Sequence, residues 1–333
     1  MSTRYHTTTL GANDDGRRLD RVLRKALPGI PLSRIYRALR SREITVNGRR
    51  VRHDTRVSEG DTLEIADSVS GARISTDAAA RRPSGTREGT REEAAHRRRI
   101  ASRIAYESDD LLVVAKERGE LTHDGAGSLE ERVRAYLEGK VAGGLSYRPG
   151  PVHRLDRNTS GLVVFGVSLA GAQAATTALQ DGTLVKEYVA ILEGRADAAT
   201  WVDRLERNRA SGVTMRGAGD SGKRAVTRVD PFATSNGATL ALVRIETGRT
   251  HQIRAQARLH GHPLLGDRKY GSTARGPYFL HAAALEAVGP ARESLGFHRV
   301  YAEPPQAFRE RIVDLFGPEA LESVVSRLAA GLY

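Results

Sequence analysis

Two short segments hold most of the side chains that could do chemistry. In PVHRLDRNTSGLVVFG, residues 151–166, His153, Arg154, Asp156, Arg157, Asn158, Thr159 and Ser160 crowd one loop that runs directly into an apolar, strand-like stretch. Loops positioned by a rigid element commonly carry catalytic groups, and this one offers a carboxylate, Asp156, among cations and hydrogen-bond donors. The plainer reading is a turn in which Asp156 bonds its own loop. In TGRTHQIRAQARLHGHPLLGDRKYG, residues 247–271, Arg249, His251, Arg254 and Arg258 gather at the opening of a helix. They read either as a solvated basic face or as a phosphate grip with one arginine turned inward. His251, His260, His262 and Asp267 invite a metal site. His260 and His262, however, alternate around Gly261 and Pro263 in turn-like sequence, so capping and packing are expected there and no metal. The chain has no P-loop, no GxGxxG after a strand, no GxSxG elbow and no HExxH, which weighs against nucleotide hydrolysis, dehydrogenation and serine or zinc hydrolysis.

These segments need elements to position them. Residues 17–27 place Leu19, Val22, Leu23, Ala26 and Leu27 on one helical face, with Asp15 as candidate cap and Pro28-Gly29 as the stop. A second helix over 32–41 turns Leu32, Ile35, Tyr36 and Leu39 inward and shows Arg34, Arg37 and Arg40 outward. Ile44, Val46 and Val51 flank Asn47-Gly48, a hairpin signal, and Leu63 and Ile65 mark a short strand. Residues 67–103 lose apolar periodicity and read as a flexible basic linker, of which Glu92–Arg103 could turn helical on RNA. Beyond it, strands are expected at Leu111–Ala115, Leu162–Val167, Val185–Leu192, Arg224–Val229, Thr239–Glu246 and Tyr278–Ala282. Helices are expected at Leu129–Leu137, 169–180, 251–260 (capped by Thr250), Phe308–Phe316 and Pro318–Leu328. The irregular order of strands and helices argues for an α+β fold, not a doubly wound α/β sheet.

Composition narrows the partners. The 333 residues, 39% hydrophobic and 28% charged, suggest two domains with a real core. No apolar run reaches the length of a membrane helix, and the opening MSTRYHTTTLG reads as no secretory signal. Cysteine is absent, which excludes disulfides and thiol chemistry and fits a reducing, cytoplasmic setting. Of the net charge of +12, residues 1–66 carry +6 and residues 67–104 carry +4. An excess concentrated in the first third suits a polyanion, since each neutralised phosphate releases counterions.

The motifs HRLDRNTSGL (153–162), KEYVA (186–190), TGRTHQIRAQARLHGHPLLGDRKYG (247–271) and FLHAAAL (279–285) resemble those of the RluA family of pseudouridine synthases. The first sixty-odd residues resemble the small α-L RNA-binding domain that several of these enzymes carry. The stretch IPLSRIYRALRSREITVNGRRV (30–51) is most similar to the large-subunit ribosomal RNA synthase C subgroup. The resemblance implies an α-L domain over 1–66, the linker over 67–103, and a mixed, largely antiparallel-sheet catalytic domain over 104–333. It implies that Asp156 is the catalytic aspartate, that Tyr188 packs against the target base and that Arg254 pairs with the carboxylate. It further implies that Arg154 fills the place of the displaced nucleotide and that Leu280 lines the base pocket. Arg34, Arg37, Arg40, Arg249 and His251 are expected to contact RNA. One departure stands out: Lys116-Glu117-Arg118-Gly119 replaces the family's Lys-Pro-x-Gly, and losing the proline is expected to loosen a turn.

The expected reaction detaches uracil, turns it and rejoins it through a ring carbon. No atoms are lost and no redox occurs, so no cofactor and no metal are implied. The carboxylate either attacks the sugar carbon or removes a neighbouring sugar proton. Both routes need Asp156 ionised in a partly dry pocket, and a buried carboxylate without a cationic partner is costly, which gives Arg254 a physical role. Unstacking the target base costs a few kcal/mol, part of which Arg154 would offset. The expected partner is large-subunit ribosomal RNA, free or in a ribosomal particle, with no membrane and nothing demanding more than a monomer. The alternatives are a transfer-RNA synthase of the same class and a non-catalytic RNA-binding or ribosome-assembly protein.

Overall fold

The computed structural model describes residues 4–70, 98–141, 144–208, 212–217, 221–235 and 237–331. Most of the expected linker, residues 71–97, lies outside the described residues, as does the first half of the helix expected at Glu92–Arg103. Backbone proximity divides the chain into two units. The first is Met1–Arg98 with Arg134–Gly150 and Val167–Ala170; the second is Arg99–Val133, Pro151–Gly166 and Gly171–Tyr333.

In the first unit, helices α1 (Leu19–Ala26) and α2 (Leu32–Arg40) accompany a three-stranded antiparallel sheet. Its strands β1 (Tyr5–Thr9), β2 (Ile44–Val46) and β3 (Thr62–Ala66) lie in the order β1-β3-β2. The inward faces read from the sequence form its core: Leu19, Val22, Leu23, Ile35, Leu39, Ile44, Leu63 and Ile65 are all buried. Three details differ from expectation. Asp15 does not cap α1; Arg18 precedes it in an extended conformation, and the Asp15 carboxylate instead accepts the Glu59 N–H at 3.1 Å. Asn47 and Gly48 do take the left-handed conformations of a tight turn, but β2 pairs with β3, and Val51 joins no strand. Strand β1, whose threonines carry no strong apolar alternation, has no counterpart in the sequence reading. The stretch 134–150 belongs to this unit through Asp14, which is fully buried and accepts the N–H groups of Leu145 at 2.9 Å and Ser146 at 3.0 Å.

The second unit is built on one large sheet of eleven strands. Its strands are β4 (Ile104–Glu107), β5 (Leu111–Lys116), β6 (Gly150–Pro151), β7 (Ser160–Gly166), β8 (Leu184–Glu193), β9 (Ala199–Arg207), β10 (Thr214–Arg216), β11 (Lys223–Ser235), β12 (Ala238–Ile245), β13 (Leu280–Ala287) and β14 (Arg299–Tyr301). The main path runs β10-β9-β11-β12-β8-β13-β7-β5-β4, with β14 on β13 and β6 on β7. Within that path the pairing of β13 with β7 is parallel and the other pairings are antiparallel. The fold is therefore α+β and mixed, largely antiparallel. Strand β8 lies at its centre, and two C-terminal helices, Gln306–Phe316 and Pro318–Ala330, cover one face by packing Phe308, Ile312, Val324 and Leu328 against Val189, Ile191, Leu240 and Leu242. Removing this apolar surface from water is the main force that holds the helices on the sheet.

Where β7 meets β13, the backbones approach so closely that a side chain at Gly161 would meet the Ala282 carbonyl oxygen at 2.2 Å; Gly161 also holds a φ of +115°. Glycine is required there on both counts. This seam matters because Gly161 closes the loop that carries Asp156, and Ala282 is the register partner of Tyr188.

Candidate active site

The loop 152–159 is held from several sides. Thr122 brackets Leu155, its hydroxyl donating to the Leu155 carbonyl at 3.1 Å and accepting the Leu155 N–H at 3.2 Å. The Thr159 N–H closes back on the Asp156 carbonyl at 3.0 Å. The buried Lys116 ammonium, at the end of β5, donates to the carbonyls of Glu117, Glu120 and Arg157 at 2.9, 2.9 and 3.1 Å. Burial pushes its pKa down to about 8. These bonds, with Gly119 at a φ of +86°, hold the turn that the missing proline was expected to loosen.

On this loop the Asp156 carboxylate faces a cavity of about 290 Å³ whose lining includes Arg154, Lys186, Tyr188, Arg249, His251, Arg254 and Leu280. The arginine expected to turn inward is Arg254, on the helix Gln252–Leu259. Its Nη1 donates to Asp156 Oδ2 at 3.1 Å, while its Nε and Nη2 form a two-pronged bond to Asp267 at 2.7 and 2.9 Å. The guanidinium lies over the rings of Tyr270 and Tyr278, 4.8 and 4.6 Å from their centroids. Burial opposes its charge, but the bonds to Asp267 and the neighbouring negative groups more than compensate, so its pKa stands above the ordinary arginine value.

Tyr188 projects into the cavity from the centre of β8, on the same side as Lys186. The intervening Glu187 points the other way, where Arg244 and Arg299 hold it at 2.8 and 2.6 Å and tie β8 to its neighbours. Burial, aided by the Asp156 charge, raises the Tyr188 pKa, so the phenol stays protonated. Leu280 opens β13 and adds an apolar wall; in register it is opposite Ala190 of β8.

His251 sits closer to the chemistry than its expected RNA contact implied. It precedes the helix in a left-handed conformation, φ 53°, an uncommon one for a residue with a side chain. Thr250, the expected cap, does not cap the helix; its carbonyl accepts from the Thr214 hydroxyl at 2.9 Å. The Tyr270 hydroxyl accepts the Thr214 N–H at 2.9 Å and shares a second hydrogen bond, 2.7 Å long, with His251 Nδ1. The other ring nitrogen, Nε2, lies 3.6 Å from Asp156 Oδ1. Burial lowers the His251 pKa, against the pull of Asp156.

The structure thus gathers Asp156, Tyr188, Arg254, His251, Arg249, Arg154 and Leu280 around one cavity. Arg34, Arg37 and Arg40 lie in the first unit. Arg37 and Arg40 are exposed, whereas Arg34 is engaged by Glu43 at 2.7 and 3.0 Å. The residues that reading the sequence missed are Asp267, Tyr270 and Tyr278. Asp267 invites a metal in the sequence, but among the described residues no group of acids and histidines is placed to hold one. His260 instead stacks on Trp201 and meets Asp203 at 2.9 Å, and His262 bonds the Glu193 carbonyl.

Comparison with known proteins bears on this arrangement. The description RNA pseudouridylate synthase matches residues 110–259, and the S4 domain matches residues 17–63. Ribosomal large subunit pseudouridine synthase C of Escherichia coli (strain K12) is 30% identical over 304 residues, covering 84% of this chain and 87% of that protein. The chain belongs to the RNA pseudouridylate synthase family. A second relative of this synthase, ribosomal large subunit pseudouridine synthase D of Vibrio vulnificus (strain CMCP6), is 31% identical over 281 residues, covering 81% of this chain and 78% of the other. Among solved structures, human RNA pseudouridylate synthase domain containing 4 shares the synthase fold with a TM-score of 0.55 at 19% identity, over 69% of this chain and 97% of that one. Among the described residues no helix of the synthase is long and apolar enough to cross a membrane.

Proposed function

We propose that this synthase isomerises uridine to pseudouridine in large-subunit ribosomal RNA, with Asp156 as the carboxylate that acts on the sugar. The observation that carries the reading is the Asp156 carboxylate in the lining of a cavity it shares with Tyr188, one oxygen bound to Arg254 at 3.1 Å and the other 3.6 Å from His251. Arg254 supplies the counter-charge that keeps a carboxylate ionised in a partly dry site. Tyr188 offers a flat apolar face on which an extruded uracil can stack. Leu280 closes the pocket around the base, and the exposed Arg154 stands where it can occupy the gap left in the RNA. The S4 domain, with Arg37 and Arg40 outward, adds sequence-tolerant affinity through phosphates. The two relatives are both named as large-subunit enzymes, which supports ribosomal over transfer RNA as the substrate.

The test is Asp156→Asn, assayed on large-subunit ribosomal RNA by carbodiimide-dependent primer-extension stops and, separately, by RNA affinity. Turnover should vanish while affinity stays within a few-fold. Turnover that survives the substitution would overturn the reading, and loss of affinity together with activity would assign Asp156 a structural role.

A further inference from the structure

The cavity contains a cation that the chemistry above does not use. Lys186 reaches it from β8, two residues before Tyr188 and on the same face of the strand. Its ammonium lies beside Gly248, where a side-chain carbon would come within 3.6 Å of Nζ; glycine leaves room for the charge. On the neighbouring strands its register partners are Ile245 and Leu285, both apolar. Among the described residues Lys186 has no hydrogen-bond or ion-pair partner, and burial alone, with no balancing negative group, depresses its pKa to about 8. Lys116 shows what a satisfied buried lysine looks like in this fold: three carbonyls within 3.1 Å of Nζ. Lys186 is part-exposed, so its ammonium is open to an anion that enters the cavity, and a charge-assisted bond there is stronger than one in bulk water.

The substrate brings that anion. Uracil is neutral, and the negative groups of a nucleotide are its phosphates. Strand geometry puts the Cα atoms of Lys186 and Tyr188 about 7 Å apart, comparable to the span from a nucleobase across its sugar to its own phosphate. The other cations at the rim, Arg154 and Arg249, come from loops, whereas Lys186 is fixed by the sheet. His153, on its other side, is held neutral by burial and by the Lys186 charge itself, with a pKa of about 3, so it does not compete for the anion.

Resting on the proposed use of this cavity for the target uridine, we infer that Lys186 binds a phosphate of the extruded nucleotide and sets how deeply the base sits against Tyr188. A charge-assisted bond of this kind corresponds to about a tenfold or greater gain in affinity. The probes are uridine, uridine 5′-monophosphate and uridine 3′-monophosphate, titrated calorimetrically into the full-length protein. One of the two monophosphates should bind about tenfold more tightly than uridine, and which one identifies the phosphate. Lys186→Met should reduce that preference to less than twofold, and Lys186→Arg should keep most of it. Thermal melting of each variant checks that it is folded. Equal binding of all three probes by the unmodified protein would overturn the inference without any variant. So would a preference that survives Lys186→Met unchanged, which would give the phosphate to Arg154 or Arg249. The titration does not depend on turnover, so its failure is distinct from failure of the Asp156 test.

Discussion

Asp267 touches neither cavity nor expected substrate, yet replacing it by asparagine should weaken both fold and catalysis. Its carboxylate is 2% exposed and holds Arg254 through two short bonds, with the guanidinium 8% exposed. Removing one partner of a buried pair costs about 3–5 kcal/mol. Asparagine keeps the size and one acceptor, and Asp156 remains at 3.1 Å as a counter-charge, so the lower end, about 3 kcal/mol, applies. For a domain of this size each kcal/mol lowers Tm by about 2–4 °C, giving a fall of about 6–12 °C. The kinetic effect arises separately. With one prong gone, Arg254 can rotate over its two tyrosines, and a shift near 1 Å at a positioned group can cost about 100-fold in rate. Differential scanning calorimetry and the carbodiimide assay at saturating RNA read the two effects independently. A Tm within about 2 °C of the unmodified protein together with kcat within about threefold, both far short of the expected fall of about 6–12 °C and loss of about 100-fold, would refute the anchoring role. A lower Tm with unchanged kcat would refute the positioning part.

The first unit and the seam supply two further predictions. Arg37→Glu and Arg40→Glu should each weaken RNA binding and reduce the slope of log affinity against log salt by roughly 0.7–0.9 for every phosphate left without its cation. Arg34→Gln should leave that slope unchanged in the same filter-binding series, because Arg34 is committed to Glu43, whose carboxyl it helps hold down at about 2. Stability should also fall in acid through His281, which is buried between Ser160 and the Ala302 carbonyl and whose pKa burial lowers from 6.5 to about 4. The unfolded chain takes up this proton first, so the contribution is complete above about pH 6.5 and is lost as pH falls toward 4; it amounts to about 3 kcal/mol. Urea unfolding of the unmodified protein should therefore show a steeper pH dependence between 4 and 6.5 than His281→Gln, and parallel curves would contradict it.

Elements with an uninterrupted signal are legible in the sequence. The helix Leu129–Leu137 and the strand at 162–167 stand close to where periodicity puts them. Strand β9 escapes such a reading because a charge breaks its alternation. Trp201, Asp203 and Leu205 all point inward, and the aspartate among them is buried only because Gln256 and His260 bond it and Arg216 pairs with it. Those partners lie far away in sequence, so no local pattern announces them. The site divides the same way. Asp156, Tyr188, Arg254 and Leu280 are readable from motif resemblance and meet at one cavity. Asp267 and Tyr270 are in view as letters of the 247–271 segment, but their task, bracing one arginine, exists only after the chain closes on itself. The turn at His251 hides its own geometry: a threonine before a helix predicts a cap, while the left-handed residue that follows redirects the imidazole toward Asp156.

That redirection bears on how the two oxygens of Asp156 divide their labour. A guanidinium has five N–H donors in a rigid plane. Here one edge is engaged by Asp267 and one donor by Asp156 Oδ2, and the cation lies over the rings of two tyrosines. Arg254 is therefore oriented by groups outside the cavity and presents a fixed contact to one carboxylate oxygen. The other, Oδ1, faces His251 Nε2 at 3.6 Å, too far for a full hydrogen bond. Among the described residues Oδ1 accepts no hydrogen bond, while Oδ2 accepts one from Arg254. A carboxylate oxygen has two lone pairs, so even a full hydrogen bond from His251 would leave one of them free. The separation leaves one oxygen held by Arg254 and the other without a full hydrogen bond among the described residues, an arrangement that fits the role proposed for Asp156.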